Sequence, residues 1–114
     1  MIDNWSGEKF KDEVLRSGKT AGVEFYSDTC PACRTLGVVL DRVADRYGDR
    51  LVFGKVNVDK EEALAEKYAI RSVPTFMVFC QGRSVTESVG AMGQNALSEL
   101  IDSAMNKIGG SKIL

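Results

Sequence analysis

Two cysteines three positions apart, Cys30-Pro31-Ala32-Cys33, are the residues of this chain best equipped for chemistry. The thiolate, not the thiol, is the nucleophile. A cysteine just ahead of a helix meets unpaired backbone N–H groups and the positive end of the helix dipole, and both favour thiolate. Proline suits the first helical turn, where its missing N–H is not required. One turn along, Cys33 can reach Cys30 to close a small disulfide ring. The functional reading is a reversible dithiol–disulfide couple, with Cys30 attacking a disulfide and Cys33 resolving the mixed intermediate. Two rival readings are half of a four-cysteine zinc site and a pair of inert core cysteines. The zinc reading needs two further thiols, and the chain offers only Cys80.

The remaining composition narrows the chemistry. The chain has 114 residues and no histidine, so no Ser-His-Asp or Cys-His nucleophile can be built and no imidazole can bind zinc. Any reaction must run on thiols, carboxylates, lysines or hydroxyls. With 15 Lys+Arg against 16 Asp+Glu, the net charge of −1 gives no electrostatic basis for nucleic acid or an anionic membrane as partner. The longest apolar runs, such as Phe76–Cys80, have five residues, far short of the ~20 a spanning helix needs. Residues 1–5 carry no signal-peptide pattern. Three cysteines without export suggest catalytic, metal-binding or buried thiols, not a disulfide framework, and a cytoplasmic location is expected.

The elements that must position the pair follow from hydrophobic spacing. Glu8–Arg16 reads as a short helix and Ala21–Tyr26 as a strand leading into the cysteines. Pro31–Tyr47 reads as a helix, with Leu36, Val39, Leu40, Val43 and Tyr47 on one stripe. Leu51–Val58 is a strand, Lys60–Ala69 a helix, Thr75–Cys80 and Ser84–Val89 strands joined at Gln81-Gly82, and Asn95–Ile108 a closing helix. Alternating strands and helices predict an α/β fold, helices covering a central sheet, with one antiparallel hairpin. The length suits a single domain over residues 1–108; Gly109-Gly110 reads as a helix stop before a flexible tail, 109–114. Trp5 is expected in the core.

The chain resembles the thioredoxin family over roughly residues 5–105. The likeness is carried by Val23-Glu24-Phe25-Tyr26 before the cysteines, Lys55-Val56-Asn57-Val58-Asp59, the run Lys67 to Phe76 with Val73-Pro74-Thr75, and Ser88-Val89-Gly90-Ala91. It implies a thioredoxin-like fold, a mixed sheet flanked by helices on both faces, and a thiol–disulfide oxidoreductase that reduces protein disulfides through Cys30 and Cys33. It also implies disulfide-containing client proteins, a reductase as electron donor, a monomer, and no cofactor or metal. No nucleotide-binding glycine motif is present to recruit NADPH directly.

Residue by residue, Pro74 matches the family's cis-proline, which leaves the backbone of Val73 free to pair with an extended substrate. Thr29, Ile70, Val73, Gly90 and Ala91 match the substrate contact surface around the nucleophile. Glu24 matches a buried acid that is usually aspartate; burial would raise its pKa and suit it to carry the proton of Cys33. A solvated strand face is the alternative for Glu24. Lys55 matches a lysine near that acid and is either its partner or exposed.

Three departures qualify the likeness. Thr29 stands where the family has tryptophan, Pro31-Ala32 replaces Gly-Pro, and Val38 replaces the proline that kinks the long helix, with Gly37 beside it as a possible bend. An N–H restored at Ala32 would give the Cys30 thiolate an extra donor and a more oxidising disulfide. Alternatives to the reductase are therefore a more oxidising carrier of glutaredoxin or isomerase type, and a redox-inactive binding module of the same fold. Six residues of strand span about 20 Å, which places Cys80 near the pole opposite Cys30, as a bystander thiol.

Overall fold

The computed structural model describes the backbone of residues 1–113 and the side chains of residues 1–109. Five strands form one mixed sheet in the order β1-β3-β2-β4-β5. They are β1 (Asp3–Asn4), β2 (Ala21–Tyr26), β3 (Val52–Asn57), β4 (Thr75–Cys80) and β5 (Arg83–Val89). β1, β3 and β2 run parallel, and β4 and β5 run antiparallel to their neighbours. The helices are α1 (Gly7–Phe10), which continues as a π-helical turn over Lys11–Arg16, α2 (Pro31–Ala44), α3 (Glu62–Lys67) and α4 (Gln94–Ile113).

Strand alternation sorts the core into two layers. Ala21, Val23 and Phe25 of β2 join Trp5, Phe10, Val14, Leu64, Met77 and Phe79 on the face covered by α1 and α3. Phe76 and Val78 of β4 join Leu36, Leu40 and Val43 of α2 and Leu97, Ile101 and Ala104 of α4 on the other. The α/β fold with helices on both faces is thus observed, and Trp5 lies in the core at 3% exposure.

The boundaries differ where local bonds override periodicity. α2 ends at Ala44, not Tyr47, because Arg46 and Tyr47 donate to carbonyls three residues back and Gly48 turns left-handed. α3 is shorter than 60–69: the Asn57 side chain accepts from the Asp59 and Lys60 N–H groups and holds the chain in a turn first. At its far end Ala69 adopts φ 54°, with Ile70 N–H bonded to the Ala65 carbonyl. β1, two residues long, is too short to show alternation. α4 continues through Gly109 and Gly110 instead of stopping at Ile108. Glycine weakens a helix by about 1 kcal/mol but does not forbid one. The flexible-tail expectation for 109–114 thus meets a helical backbone to Ile113, while Leu114 and the side chains from 110 onward lie outside the described residues.

Gly54 of β3 shows how tightly β1 and its flank are packed. A Cβ there would overlap the Trp5 ring, whose backbone N–H donates to the Lys55 carbonyl at 2.7 Å. Overpacking of this kind costs typically about 1–3 kcal/mol. Gly54→Ala should therefore lower the free energy of urea unfolding by that order and alter Trp5 fluorescence in the native state; an unchanged unfolding free energy would show that the Trp5 flank yields freely.

Candidate functional site

Cys30 is the N-cap of α2, in extended backbone conformation, and its sulfur accepts the Cys33 N–H at 3.1 Å. The donor to the sulfur is thus the third helical residue, and Ala32, expected to supply one, makes no hydrogen bond to it among the described residues. The helix N-terminus points its Cys33 N–H at the sulfur, whichever residue occupies position 32. Cys30 and Cys33 are joined as a disulfide. Cys30 is half-buried and Cys33 is 3% exposed, so Cys30 is the more accessible residue of the pair. α2 runs unbroken past Gly37 and Val38.

The second wall is the loop into β4. The Val73–Pro74 peptide bond is cis, and the Val73 carbonyl oxygen lies 3.8 Å from the Cys30 sulfur. Pro74 is buried, and its carbonyl accepts the Gly90 N–H at 2.8 Å, which ties the end of β5 to the same loop. Gly90 has φ 98°, a conformation that side chains disfavour, and Ala91 follows it exposed. Thr29 is exposed beside Cys30. Ile70 is half-buried against the Trp5–Phe10 layer. The structure therefore brings Cys30, Val73, Pro74 and Gly90 together through direct contacts, with Thr29 and Ala91 adjacent in the chain.

Behind Cys33 lies a side that carries carboxyl groups. Glu24 points from β2 toward α2 and is 1% exposed, which removes the solvated-face alternative. Its Oε2 has no hydrogen-bond partner among the described residues. Burial pushes its pKa up from the ordinary 4.5 to about 7; Lys55 pulls it down and Asp41 pushes it up. Lys55 stands directly opposite Glu24 in the β2–β3 ladder, yet its ammonium rests 5.2 Å above the Tyr26 ring, and no ion pair within 4 Å joins it to Glu24 among the described residues. An open cavity of ≈ 380 Å³ is lined by Glu24, Cys33, Gly37, Asp41, Lys55 and Tyr26 among others. Gly37 and Asp41 were not singled out for this role from sequence. The signal was there in their four-residue spacing from Cys33, which puts all three on one helical face.

Cys80 ends β4 as a free, half-buried thiol, six residues from the Pro74 end of that strand. Among the described residues no group of three or more cysteine or acidic side chains could hold a metal ion.

A half-buried cysteine at a helix N-terminus, bonded to a buried partner one turn on and set beside a cis-proline loop, defines a disulfide-exchange centre on an α/β scaffold. The thioredoxin family model matches residues 2–103. A thioredoxin of Acidithiobacillus ferridurans is 34% identical over 100 residues, 88% of this chain and 93% of that protein. Thioredoxin 1 of Synechococcus elongatus is 39% identical over 93 residues, 82% and 87% of the two chains. The chloroplastic M-type thioredoxin of Chlamydomonas reinhardtii is 33% identical over 99 residues, 87% of this chain and 71% of that one. The chain belongs to the thioredoxin family and is a thiol–disulfide oxidoreductase, a class whose members need no cofactor and work with disulfide-containing substrates and reductase partners.

The Glu24 shift carries a stability consequence of known sign. A carboxyl whose folded-state pKa exceeds its unfolded value stabilises most below the unfolded pKa, and that contribution is lost as pH rises through the folded one. For Glu24 the window runs from 4.5 to about 7, and the loss is roughly 3 kcal/mol. Urea unfolding of the oxidised protein should show that decline, and Glu24→Gln should flatten it. Parallel curves for the two proteins would mean that Glu24 ionises without penalty.

Proposed function

We propose that this protein reduces client disulfides, with Cys30 as nucleophile, Cys33 as resolving thiol and Glu24 as proton acceptor. What supports it best is the asymmetry of the pair: Cys30 half-exposed against the Val73 carbonyl, Cys33 buried on the cavity it shares with Glu24. The Cys30 thiolate, held by the Cys33 N–H, attacks one sulfur of the client disulfide. A Cys30–client bond forms, the client S–S bond breaks, and the departing thiolate takes a proton from solvent. Glu24 then accepts the Cys33 proton. The Cys33 thiolate attacks Cys30, forming the intramolecular disulfide and releasing the second client sulfur, which is protonated in turn. Two electrons have passed from the pair to the client. A carboxyl with pKa near 7 is far better matched to a thiol near 8.5 than an ordinary glutamate would be.

The surface of exposed Thr29 and Ala91 and half-buried Val73 and Gly90, with Ile70 at its margin, would receive an extended client segment over cis-Pro74. Lys55 would steady the ionised form of Glu24, since its charge favours the carboxylate. A thioredoxin reductase-type donor would return electrons to Cys30–Cys33. We place this chemistry in the cytoplasm, carried out by a monomer of one domain over residues 1–108, in keeping with the free Cys80. No described helix is long and apolar enough to cross a membrane.

Insulin disulfides with dithiothreitol as donor provide the assay. Cys30→Ser should fall to the uncatalysed rate, Cys33→Ser should accumulate a client-bound mixed disulfide visible as a mass adduct on Cys30, and Cys80→Ser should keep full turnover. Wild-type protein without turnover under any thiol donor would favour the redox-inactive binding module.

A further inference from the structure

The cavity beside Cys33 holds a second carboxyl group that the exchange reaction as described does not use. Cys33, Gly37 and Asp41 recur every four residues on α2 and line that cavity together with Glu24. Gly37 offers no side chain, so the Glu24 Oε1 comes to 3.5 Å from where a Cβ at 37 would stand. The Glu24 carboxyl therefore lies over the middle of the stripe, with Cys33 and Asp41 each about 6 Å along the helix axis from Gly37. Asp41 is held in place from outside the helix: its Oδ1 accepts the Ile2 N–H at 2.7 Å.

Other charged groups surround the same cavity. From β3, the Lys55 ammonium sits on the Tyr26 ring. From α2, Arg34 donates to the Asp28 carbonyl at 3.1 Å. The Asp28 carboxyl lines the cavity from the loop after β2, and Met1 brings its amino group to it beside the apolar Ile2. Phe76, opposite Glu24 on β4, is apolar. Asp41 is the acidic group whose charge acts on Glu24, and it acts against ionisation while Lys55 acts for it.

We propose that Asp41 is a positioning residue for disulfide exchange: fixed by the Ile2 N–H on the face of α2 that Glu24 overlies, its negative charge adds to the effect of burial in readying the Glu24 carboxyl to take the proton of Cys33. Like charges sharing a poorly solvated site raise each other's proton affinity. The proposal rests on Glu24 as the proton acceptor, and the two ideas fail separately.

The test is a carboxyl-carbon NMR titration of Glu24 in the oxidised protein, where neither active-site thiol titrates, with Glu24→Gln to assign the signal. Asp41→Asn keeps the acceptor for Ile2 and removes only the charge; Asp41→Ala removes both. Both variants should lower the proton affinity of Glu24 by roughly threefold or more, and the pH profile of insulin reduction should move to lower pH in step. A Glu24 midpoint unmoved in Asp41→Asn, or moved only in Asp41→Ala, would overturn the proposal, since either result reduces Asp41 to a tether for the chain start. If instead Glu24→Gln leaves the pH profile of reduction as in wild type, the proton-acceptor reading fails while the titration still reports on Asp41.

Discussion

The register of β2 is the constraint on which the site depends. This strand is paired on both sides at once, with β3 in parallel and β4 in antiparallel. Its side chains alternate between two filled layers, Val23 and Phe25 against Phe10 and Phe79, Glu24 against α2. A slip of one residue would drive Glu24 into the aromatic layer and lift Val23 and Phe25 out of it. The same ladders set Thr75 opposite Phe25, so the loop carrying Val73 and Pro74 must arrive at the end of β2 from which the chain enters Cys30. The cysteine pair and the proline meet because two ladders share one strand.

That arrangement gives the site two sides with opposite physical demands. The outer side needs an accessible sulfur and a free backbone edge, which the loops around Cys30, Val73 and Gly90 supply. The inner side sets a buried carboxyl, Glu24, on the same cavity as the buried Cys33. Burying Glu24 with an unpartnered oxygen raises its basicity at a cost in folding free energy above neutral pH. Well-packed layers on both faces of the sheet make such a cost tolerable. The instability is therefore placed at the cavity that Glu24 shares with Cys33.

Much of this was legible in the sequence, and what was not has identifiable causes. β2 and β4 could be read to the residue because each is an apolar strand bounded by turn signals, and the cysteine pair could be read from its place between strand and helix. The family likeness picked out Pro74 and Glu24. β1 escaped because two residues carry no period, and α3 was read too long because an Asn57 side-chain turn competes with helix at its start. Asp41 escaped for a different reason. Its relevance arises from a contact across 39 positions to Ile2 and from sharing a cavity with a strand residue, and no local pattern encodes either.

The Cys-Pro-Ala-Cys spacer shows how a departure in sequence can leave a site's main electrostatic contact intact. Moving proline from the second to the first spacer position removes an N–H from the opening of α2, where backbone donors have no helical acceptor in any case. The N–H that reaches the Cys30 sulfur belongs to Cys33, at the third helical position, and neither spacer residue supplies it. Pro31 and Ala32 are both exposed. Their side chains thus face whatever approaches Cys30, while the N–H that meets its sulfur in the disulfide comes from the backbone beneath them. The departure from Gly-Pro falls on the exposed surface of the site, and the backbone contact at the opening of α2 is made without either spacer residue.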